Sequence, residues 1–510
     1  MFFNKKINPH TANLRSWRSH TSLRESEQSG VGVNYAKLGN FRFKKLGGKN
    51  LLTNDGGAWI FLNSKDFSRF LAGKIGEKEK VYQELEKKLF FKAGKPETAA
   101  LASQYLKLNY SLAQGTSLFI IVLTLRCNHR CLYCQATPER PQSRGFDMSH
   151  LTAKKVVDLI FRTPSSFVRI EFQGGEPLLN WPVLKYIVRY AKELNQEKKK
   201  NLQISLVSNL TLLDDKKLKF LLDEAVDISC SFDGPAKVHN KNRIYLGGKN
   251  SHQAVCRQIK KIQAAIKERE NKNKPVARLD AVLTVSRYSL PHFKEIIDEY
   301  LKRGFNNIFI RPLSPLGLGK QTWKKIGYSA QAFIDFYKKS MDYILKLNLS
   351  GKVFVERGSY YALQKILKNE DPNYFEMRSP CGAGIGQIAF NYDGTIFTCD
   401  EGRMAARMDC DNFRLGDVYE HQYDQLIDNE TTKIMCLASC LDNQAGCTDC
   451  VYKPYCGICP IINFFESGTI FPSITSTARC KTNQAMFDYL FLKLKDEKYQ
   501  TVFARWLGKW

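Results

Sequence analysis

The sequence lacks a hydrophobic run that could cross a membrane. Its longest apolar stretch, residues 118–125, has eight positions and includes a threonine, whereas a membrane helix needs about twenty apolar residues. Residues 1–40 also lack the continuous apolar segment of a secretory signal. We therefore expect a cytoplasmic protein that has no membrane partner.

Acidic residues are scarce relative to basic ones. The 510 residues include 77 Lys and Arg but only 50 Asp and Glu, which gives a formal net charge of +27. Such an excess can attract nucleic acid, a membrane surface or an acidic ligand, or it can serve solubility alone. The sequence contains no helix-turn-helix, zinc-finger or aromatic-rich RNA-binding motif. An acidic peptide is therefore a better candidate partner than nucleic acid.

The fifteen cysteines form an odd set that does not fit a fully paired disulfide scaffold. In a reducing compartment, clustered cysteines are more often metal ligands or catalytic groups. Ten of the fifteen fall in residues 381–480, among short strand and turn patterns. We therefore expect this region to be a domain that is built around metal.

Six strand patterns alternate with six helical patterns between residues 115 and 350. The strand candidates are residues 118–125, 168–172, 202–208, 226–232, 276–285 and 307–311. The helix candidates are residues 150–162, 182–194, 214–225, 252–270, 291–303 and 330–347. This alternation predicts an α/β fold with parallel strands, either an incomplete β/α barrel or an open doubly wound sheet. In both folds the chemistry belongs at the carboxyl ends of the strands.

Turn signals and composition divide the rest of the chain. Residues 41–110 predict a small α+β module, in which strands flank the Asn54–Gly57 turn and two helices follow. The predicted segments are a flexible lead-in (1–40), the module (41–110), the barrel (115–350), a linker (351–380), the cysteine-rich domain (381–490) and a C-terminal tail (491–510).

Three cysteines follow the first strand candidate on one short loop, at positions Cys127, Cys131 and Cys134. Three thiolates can hold three irons of a 4Fe–4S cluster, and the fourth iron then stays open to a small chelating molecule. A zinc site is the alternative, and it would need a fourth ligand such as His129. The position at the carboxyl end of a strand favours the iron–sulfur interpretation.

This cysteine spacing, with Tyr133 before the last cysteine, resembles the radical S-adenosylmethionine (SAM) enzymes. The resemblance implies a partial (β/α)6 barrel in which Cys127, Cys131 and Cys134 ligate the 4Fe–4S cluster. It also implies that SAM chelates the open iron and is cleaved reductively to a 5′-deoxyadenosyl radical.

Further segments match this family in order and spacing. Gln173–Pro177 resembles its GGEP segment, in which glycines let the backbone come close and Glu176 offers an acceptor to an ammonium group. The resemblance assigns SAM binding to Tyr133, Gln173, Gly174, Gly175, Glu176, Pro177, Ser208, Asn209, Ser231, Asp233 and Arg243. Asn240 replaces the usual Asp of the family, and it either leaves one contact open or caps the next helix.

The C-terminal cysteines resemble the SPASM domain, which carries auxiliary Fe–S clusters, although a zinc ribbon has a related pattern. Carried over by position, one cluster would be held by Cys447, Cys450, Cys456 and Cys480, and a second by Cys381, Cys399 and Cys459. The second keeps an open iron or takes Cys410, Cys436 or Cys440 as its fourth ligand. One or two auxiliary clusters are thus expected.

Asp400 directly follows Cys399. In sulfatase-maturing relatives an Asp at this position accepts a substrate proton, and a carboxylate beside a cluster could do so here. Asp400 could equally be a turn residue that supports a ligand. Cys230 and Cys256 are expected to be buried barrel residues, since an unpaired cysteine behaves as a small hydrophobe.

Longer stretches, among them Thr124–Gln135, Ile170–Asn180 and Ile308–Gly317, resemble the radical SAM maturase of the His-Xaa-Ser peptide-modification system. The resemblance implies an oxidoreductase that oxidises or cross-links side chains of a ribosomally made precursor peptide. A second radical SAM maturase and an electron donor such as flavodoxin or ferredoxin are the implied partners. The alternatives are a sulfatase maturase that forms formylglycine and a non-catalytic, metal-bound peptide adaptor.

The module at residues 41–110 resembles the peptide-recognition modules of ribosomal-peptide maturases. In such modules a leader peptide can add a strand to an exposed sheet edge. The alternative is a structural cap on the barrel.

Overall fold

The computed structural model describes residues 33–34, 36–92, 95–248 and 250–509. The first part of the predicted lead-in, residues 1–32, lies outside the described residues. No helix within these ranges combines the length and the apolar character that crossing a membrane requires.

The described residues form sixteen strands and nineteen α-helices. The strands are Arg42–Leu46 (β1), Lys49–Thr53 (β2), Trp59–Leu62 (β3), Leu118–Thr124 (β4), His129–Cys131 (β5), Phe167–Gly174 (β6), Asn201–Ser208 (β7), Asp227–Ser231 (β8), Arg243–Tyr245 (β9), Leu279–Thr284 (β10), Asn307–Ile308 (β11), Ile310–Arg311 (β12), Val355–Glu356 (β13), Gln387–Phe390 (β14), Thr395–Phe397 (β15) and Arg414–Asp417 (β16). The helices are Ser64–Leu71 (α1), Lys80–Lys87 (α2), Lys95–Leu108 (α3), His150–Ile160 (α4), Trp181–Lys198 (α5), Asp215–Asp223 (α6), Ala236–Asn242 (α7), Ser251–Asn271 (α8), Phe293–Lys302 (α9), Gly317–Gln321 (α10), Trp323–Ile326 (α11), Ala330–Leu349 (α12), Arg357–Leu363 (α13), Asp400–Ala406 (α14), Tyr423–Ile427 (α15), Glu430–Ser439 (α16), Pro460–Ser467 (α17), Ala478–Lys493 (α18) and Glu497–Lys509 (α19).

Six parallel strands form one side of the largest sheet, in the same order as in the chain: β4, β6, β7, β8, β10 and β12. A doubly wound sheet would reverse its strand order at a switch point. The sequential order therefore identifies the incomplete barrel among the two predicted folds. All six strand predictions are confirmed, and Phe309 splits the sixth into β11 and β12.

Three helices of the barrel begin where the sequence supplies a cap. Ser149, Asp214 and Ser329 each accept a hydrogen bond from a backbone N–H in the first turn of α4, α6 and α12. Such a side chain satisfies an N–H group that has no partner within the helix. The six helix predictions are confirmed within a few residues at each end.

Strand β4 lies at the centre of the core. Its residues from Phe119 to Thr124 are all buried, because helices cover one face of the sheet and the interior of the barrel the other. Fully burying one Leu, Ile or Phe side chain contributes about 1.5–3 kcal/mol. The unbroken apolar run in the sequence is thus the direct cause of the central position of this strand.

Three C-terminal strands continue the barrel sheet beyond β4. Strand β14 pairs in parallel with β4, so that Gln387 lies opposite Leu118, and β15 and β16 then add antiparallel strands. The sequence pattern indicated short strands here but not that they join the barrel. Residues 387–417 therefore hold the cysteine-rich region against the open edge of the barrel.

The N-terminal residues form an antiparallel sheet, β1–β2–β3, with α1, α2 and α3. The predicted turn at Asn54–Gly57 connects β2 to β3, and a second turn connects β1 to β2. Helix α3 is absent from the prediction because its apolar residues do not lie on one face, and Tyr105 and Leu106 are exposed. It forms from residues with high helix propensity, chiefly Ala, Leu and Lys.

This N-terminal sheet packs against the cysteine-rich region. The Thr53 hydroxyl donates to the Val451 carbonyl at 2.7 Å, and the Tyr455 hydroxyl donates to the Gly57 carbonyl at 2.9 Å. The Trp59 and Phe491 rings meet edge to face at 5.4 Å. The module thus contacts the segment that carries Cys447, Cys450 and Cys456.

Candidate functional site

The catalytic-loop candidate begins directly after β4 and is held closed by backbone hydrogen bonds. The Cys127 N–H donates to the Glu139 carbonyl at 3.0 Å, and the Glu139 N–H donates to the Leu125 carbonyl at 2.8 Å. Strand β5 pairs with β9, which places Cys131 opposite Arg243. Cys127 is buried, whereas Cys131 and Cys134 are half-buried. The structure therefore brings the three predicted ligands together.

Burial dominates the electrostatics of these thiols. Burial raises the pKa of Cys131 to about 12, although the Arg243 guanidinium opposes this effect. Burial also raises the pKa of Cys127, and the neighbouring Cys131, Glu176 and Cys134 raise it further. Three adjacent thiolates repel one another unless cations neutralise them, and an iron–sulfur cluster supplies such cations. The donor set therefore fits that group.

His129 lies on the same loop, but its side chain is engaged elsewhere. Its Nδ1 is 3.2 Å from Asn128 Oδ1, its Nε2 is 2.9 Å from Ser251 Oγ, and its ring stacks on Tyr245. Burial lowers the pKa of His129 to about 3. Since both ring nitrogens have partners, His129 is not placed to complete a zinc site with the three cysteines.

Gly174 and Gly175 allow the end of β6 to touch the end of β4. Gly174 has a φ of +138°, and a Cβ atom there would lie 2.3 Å from the Thr124 carbonyl oxygen. A Cβ atom at Gly175 would lie 2.1 Å from the Arg126 carbonyl oxygen. Only glycine fits at such a close backbone approach. Beside them, Gln173 donates to Glu171 at 2.7 Å, and Pro177 begins a 3-10 turn.

Glu176 is fully buried and joins the ends of β6 and β7. Its carboxylate accepts hydrogen bonds from the Ser208 hydroxyl at 2.8 Å and from the N–H groups of Asn209 at 2.9 Å and Leu178 at 3.1 Å. Burial raises the pKa of Glu176 to about 7. The SAM contacts predicted for Glu176 and Ser208 stay predictions, because both side chains bond to this chain itself.

The Asn209 side chain lies beside the first cysteine. Its amide nitrogen donates to Asn128 Oδ1 at 2.8 Å and is 4.0 Å from Cys127 Sγ. Ser231, the last residue of β8, is half-buried and lies opposite Val282. Both residues therefore lie at carboxyl ends of barrel strands, as predicted.

Tyr133, Asp233 and Arg243 form one buried network. The Tyr133 hydroxyl and Arg243 Nη2 donate to the two carboxylate oxygens of Asp233, the latter at 3.1 Å. The Arg243 guanidinium also lies over the Tyr133 ring, 5.3 Å from its centre. Asn242, which the sequence analysis missed, donates to the same carboxylate at 3.2 Å. The network fixes the loop between Cys131 and Cys134 to the end of β8.

Asn240 helps to cap the helix that follows it, which is one of the two interpretations given for this residue. Its side-chain oxygen accepts the His252 N–H at 2.9 Å, in the first turn of α8. Of the two unassigned barrel cysteines, Cys230 is fully buried in β8. Cys256 is buried as well, with its sulfur 3.5 Å from His252 Nε2.

Four predicted ligands converge in the cysteine-rich region where it contacts the N-terminal sheet: Cys447, Cys450, Cys456 and Cys480. Burial raises the pKa of Cys447 to about 12, and the other three thiols of the group raise it further. Two amides face this group: Asn483 Nδ2 is 3.4 Å from Cys456 Sγ, and Gln484 Nε2 is 3.3 Å from Cys480 Sγ. The group has the four ligands that a complete cluster requires.

Cys381, Cys399 and Cys459 form a second group within one apolar cluster. Burial raises the pKa of Cys459 to about 12, and Glu401 and Cys381 add to this effect. The three candidates for a fourth ligand have different surroundings. Cys410 packs against the same apolar cluster, Cys436 interacts electrostatically with Cys381, and Cys440 contacts Asp442. The fourth ligand of this group stays open.

One cavity of about 660 Å³ connects the barrel interior with the second cysteine group. Its walls include Ile120, Glu171 and Gln173 from the barrel and Cys381, Cys399, Cys459 and Asp400 from the C-terminal region. Asp400 is 9% exposed, and its Oδ1 accepts two hydrogen bonds from Arg403, at 2.9 and 2.7 Å.

Several charged groups in and beside this cavity escaped the sequence analysis. One that lines it is Glu376, which Arg311 and Arg479 flank at 3.1 and 3.2 Å, and Arg403 lies beside it as the partner of Asp400. Glu376 and its two arginines lie far apart in the sequence, so no local spacing could reveal them. Arg403 follows Asp400 by three residues, a helical spacing that was available as a signal.

Comparisons with known proteins show what this chain resembles. Residues 121–276 match the profile of the Radical SAM superfamily. The cysteine-type anaerobic sulfatase-maturating enzyme of Clostridium novyi is 23% identical over 348 residues, which cover 67% of this chain and 87% of that protein. The radical SAM cyclopropyl synthase TigE of Paramaledivibacter caminithermalis is 24% identical over 294 residues, or 55% of this chain and 56% of that protein.

A solved structure shares the fold. The structure of anSMEcpe with bound AdoMet and the Kp18Cys peptide superposes with a TM-score of 0.62 at 18% identity, and it covers 75% of this chain and 99% of that chain. A quarter of this chain therefore has no counterpart in that structure.

Proposed function

We propose that residues 121–276, which match the Radical SAM superfamily profile, form a radical SAM domain with which this chain modifies side chains of a ribosomally made peptide in the cytoplasm. The observation that carries the proposal is a cavity that both the barrel strands and Asp400 line. Its volume of about 660 Å³ is in the range of ligand sites and suits a peptide segment of a few residues. The reaction is an oxidation or a cross-link.

Cys127, Cys131 and Cys134 would hold the 4Fe–4S cluster. When bound, the cluster supplies the electron that cleaves SAM to a 5′-deoxyadenosyl radical, which abstracts a substrate hydrogen. Gly174 and Gly175 let the end of β6 lie directly against the backbone of Thr124 and Arg126, beside Cys127, while Arg243 and Asp233 keep Tyr133 in place. This supports the assignment of Tyr133, Gln173–Pro177, Ser208, Asn209, Ser231, Asp233 and Arg243 to the SAM site.

The C-terminal cysteines would form a SPASM-type region with one or two auxiliary clusters. The two groups of thiols described above support this assignment, four around Cys447 and three around Cys399. The group around Cys399 lines the cavity, so it could orient the peptide or take up the electron that remains after hydrogen abstraction. Asp400, on the same wall, is the proposed acceptor of a substrate proton.

The peptide would also be recognised outside the cavity. The sheet β1–β2–β3 is antiparallel, and among the described residues no further strand pairs with either of its edges, so a leader segment could add a strand to it. The basic excess of the chain suits an acidic leader. A second radical SAM maturase and an electron donor such as flavodoxin or ferredoxin complete the proposed partners, as the resemblance to the His-Xaa-Ser system implies.

Sulfatase maturation is the second candidate. It is favoured by the relative from Clostridium novyi, whose name gives that activity and of which the matched segment covers 87%. The quarter of this chain without a counterpart in anSMEcpe favours the first candidate.

The test is anaerobic incubation of the reconstituted enzyme with SAM, a reductant and each of two peptides, followed by mass spectrometry. One peptide carries His-Xaa-Ser repeats, and the other is a cysteine-containing segment of a sulfatase. We expect a mass change in the first peptide only. Formylglycine in the second peptide would establish the other function, and two unchanged peptides with intact SAM would indicate a non-catalytic adaptor.

Two variants make this test specific. Cys134→Ala should abolish the mass change, because it removes a proposed cluster ligand. Cys256→Ala, which removes a buried cysteine outside the three groups, should retain it.

A further inference from the structure

Three side chains that can bind a metal ion meet between α8 and α9, apart from the three cysteine groups and the cavity described above. His252 and Cys256 are four residues apart on α8, a spacing that places both side chains on one face of the helix. Glu299 reaches them from α9. The packing of these two barrel helices therefore creates a donor set of one nitrogen, one sulfur and one oxygen.

The distances between the donor atoms match a tetrahedral zinc site. Cys256 Sγ is 3.5 Å from His252 Nε2, which is 3.3 Å from Glu299 Oε1, and the three donor atoms lie within 4.8 Å of one another. Zinc binds sulfur at about 2.3 Å and nitrogen or oxygen at about 2.0–2.2 Å. At a tetrahedral angle, these bond lengths separate sulfur from nitrogen by about 3.6 Å and nitrogen from oxygen by about 3.4 Å. The observed separations thus leave room for one ion that contacts all three donors.

The chemistry of the donors favours zinc over magnesium and calcium. Thiolate and imidazole suit zinc, whereas magnesium and calcium take oxygen ligands. The same ligands also bind zinc more tightly than ferrous iron. The Cys256 thiolate and the Glu299 carboxylate would supply two negative charges for the divalent ion. His252 and Glu299 are each 13% exposed, so water can reach the fourth position.

Neighbouring groups hold two of these side chains in place. Arg303 Nε and Nη2 donate to Glu299 Oε1 at 2.8 and 2.6 Å. The Phe232 ring stacks on the His252 ring, with 5.7 Å between the ring centres. Such outer contacts orient the ligands in many metal sites. The positive charge of Arg303 opposes the binding of a cation, so the site should be weaker than one with the same ligands and no cation beside it.

We propose that His252, Cys256 and Glu299 bind one zinc ion that links α8 to α9. On binding, the Cys256 thiol loses its proton to solvent, and no other bond of the protein breaks. The ion would hold the start of α8, where Ser251 Oγ lies 2.9 Å from His129 Nε2 on the catalytic-loop candidate. The site would therefore support the barrel beside that loop without taking part in the chemistry, and it does not depend on the proposed function.

The test measures zinc binding by the holoenzyme, after its iron–sulfur clusters have been reconstituted. Excess zinc is added and then removed by desalting, and the zinc content and the zinc-edge X-ray absorption spectrum are recorded. We expect about one zinc per chain, with one sulfur neighbour at about 2.3 Å and three nitrogen or oxygen neighbours at about 2.0–2.2 Å. Since loss of an outer contact alone weakens metal binding about 10–100-fold, Cys256→Ala and Glu299→Gln should each weaken zinc binding by about a hundredfold or more.

Cys230→Ala is the matched control, because it removes a buried barrel cysteine that lies outside the donor group, and it should bind zinc as the wild type does. Zinc that stays bound to Cys256→Ala would overturn the inference. A wild-type chain without bound zinc would do so as well, as would a spectrum with four sulfur neighbours or with none. The wild-type spectrum decides the question even if a variant does not fold. SAM cleavage by the same preparation tests the proposed function separately.

Discussion

The closest backbone approach in the site lies at Gly175, and Gly175→Ala tests it. A Cβ atom there would lie 2.1 Å from the Arg126 carbonyl oxygen and 2.6 Å from the Leu125 carbonyl oxygen. Both are backbone atoms, so no flexible side chain can move away. Restoring a separation of 3.0 Å requires the ends of β4 and β6 to move apart by about 0.9 Å.

This movement weakens two backbone hydrogen bonds of 2.8 Å, from Gly175 to Thr124 and from Glu176 to Arg126. Overpacking costs about 1–3 kcal/mol, and each hydrogen bond is worth about 0.5–1.5 kcal/mol. We therefore expect Gly175→Ala to lower the free energy of unfolding by about 2–6 kcal/mol. Because Cys127 follows Arg126, the variant should also lose iron on reconstitution.

The assay is urea-induced unfolding of the metal-free chain, monitored by circular dichroism, together with the iron content after reconstitution. Gly508→Ala is the matched control, since a Cβ atom there would meet nothing within 4 Å. It lies in α19, where alanine is favoured over glycine by up to about 1 kcal/mol. An unfolding midpoint of Gly175→Ala equal to that of the wild type would refute the reasoning.

Three further predictions concern buried polar groups. Burial raises the pKa of Glu176 from the ordinary value of 4.5 to about 7. Glu176 therefore contributes to the stability of the fold below pH 4.5, and this contribution is lost as the pH rises through about 7. Over that interval the free energy of unfolding should fall by roughly 3 kcal/mol more in the wild type than in Glu176→Gln, as urea unfolding at each pH would show; parallel curves would contradict it. Tyr133→Phe removes one donor to the fully buried Asp233 and should cost about 1–3 kcal/mol in the same measurement, whereas the exposed Tyr110→Phe should cost nothing. Tyr455→Phe leaves the Gly57 carbonyl without this donor and should cost about 1–3 kcal/mol; wild-type stability would argue against a tight contact between the module and the cysteine-rich region.

The strands and helices of the barrel were predictable because each depends on local pattern. Leu118–Thr124 form a strand because a nearly unbroken apolar run suits a strand that is covered on both faces. Helix α3 was missed because propensity alone forms it, without an apolar face that the pattern could reveal. The joining of β14 to β4 was missed because strand pairing across more than 250 residues leaves no local trace.

In the candidate site, too, the features that depend on neighbouring residues were predictable and those that depend on long-range packing were not. Cysteine spacing and the two glycines were visible in the sequence, since both depend on neighbouring positions. The direction in which each side chain points was not visible in the sequence. The Ser208 hydroxyl, for example, donates to Glu176, and the Arg403 guanidinium donates to Asp400. These directions depend on the packing between strands and on burial, which no short motif records. The two interpretations of Asn240 could be separated only by the position of the His252 N–H.

The central claim is that Cys127, Cys131 and Cys134 hold a cluster that cleaves SAM. The most direct test measures 5′-deoxyadenosine release by the anaerobically reconstituted chain with SAM and a reductant, beside the Cys134→Ala and Cys256→Ala variants. The account predicts release by the wild type and by Cys256→Ala, and none by Cys134→Ala. Intact SAM in a wild-type sample that has bound zinc in place of iron would contradict it.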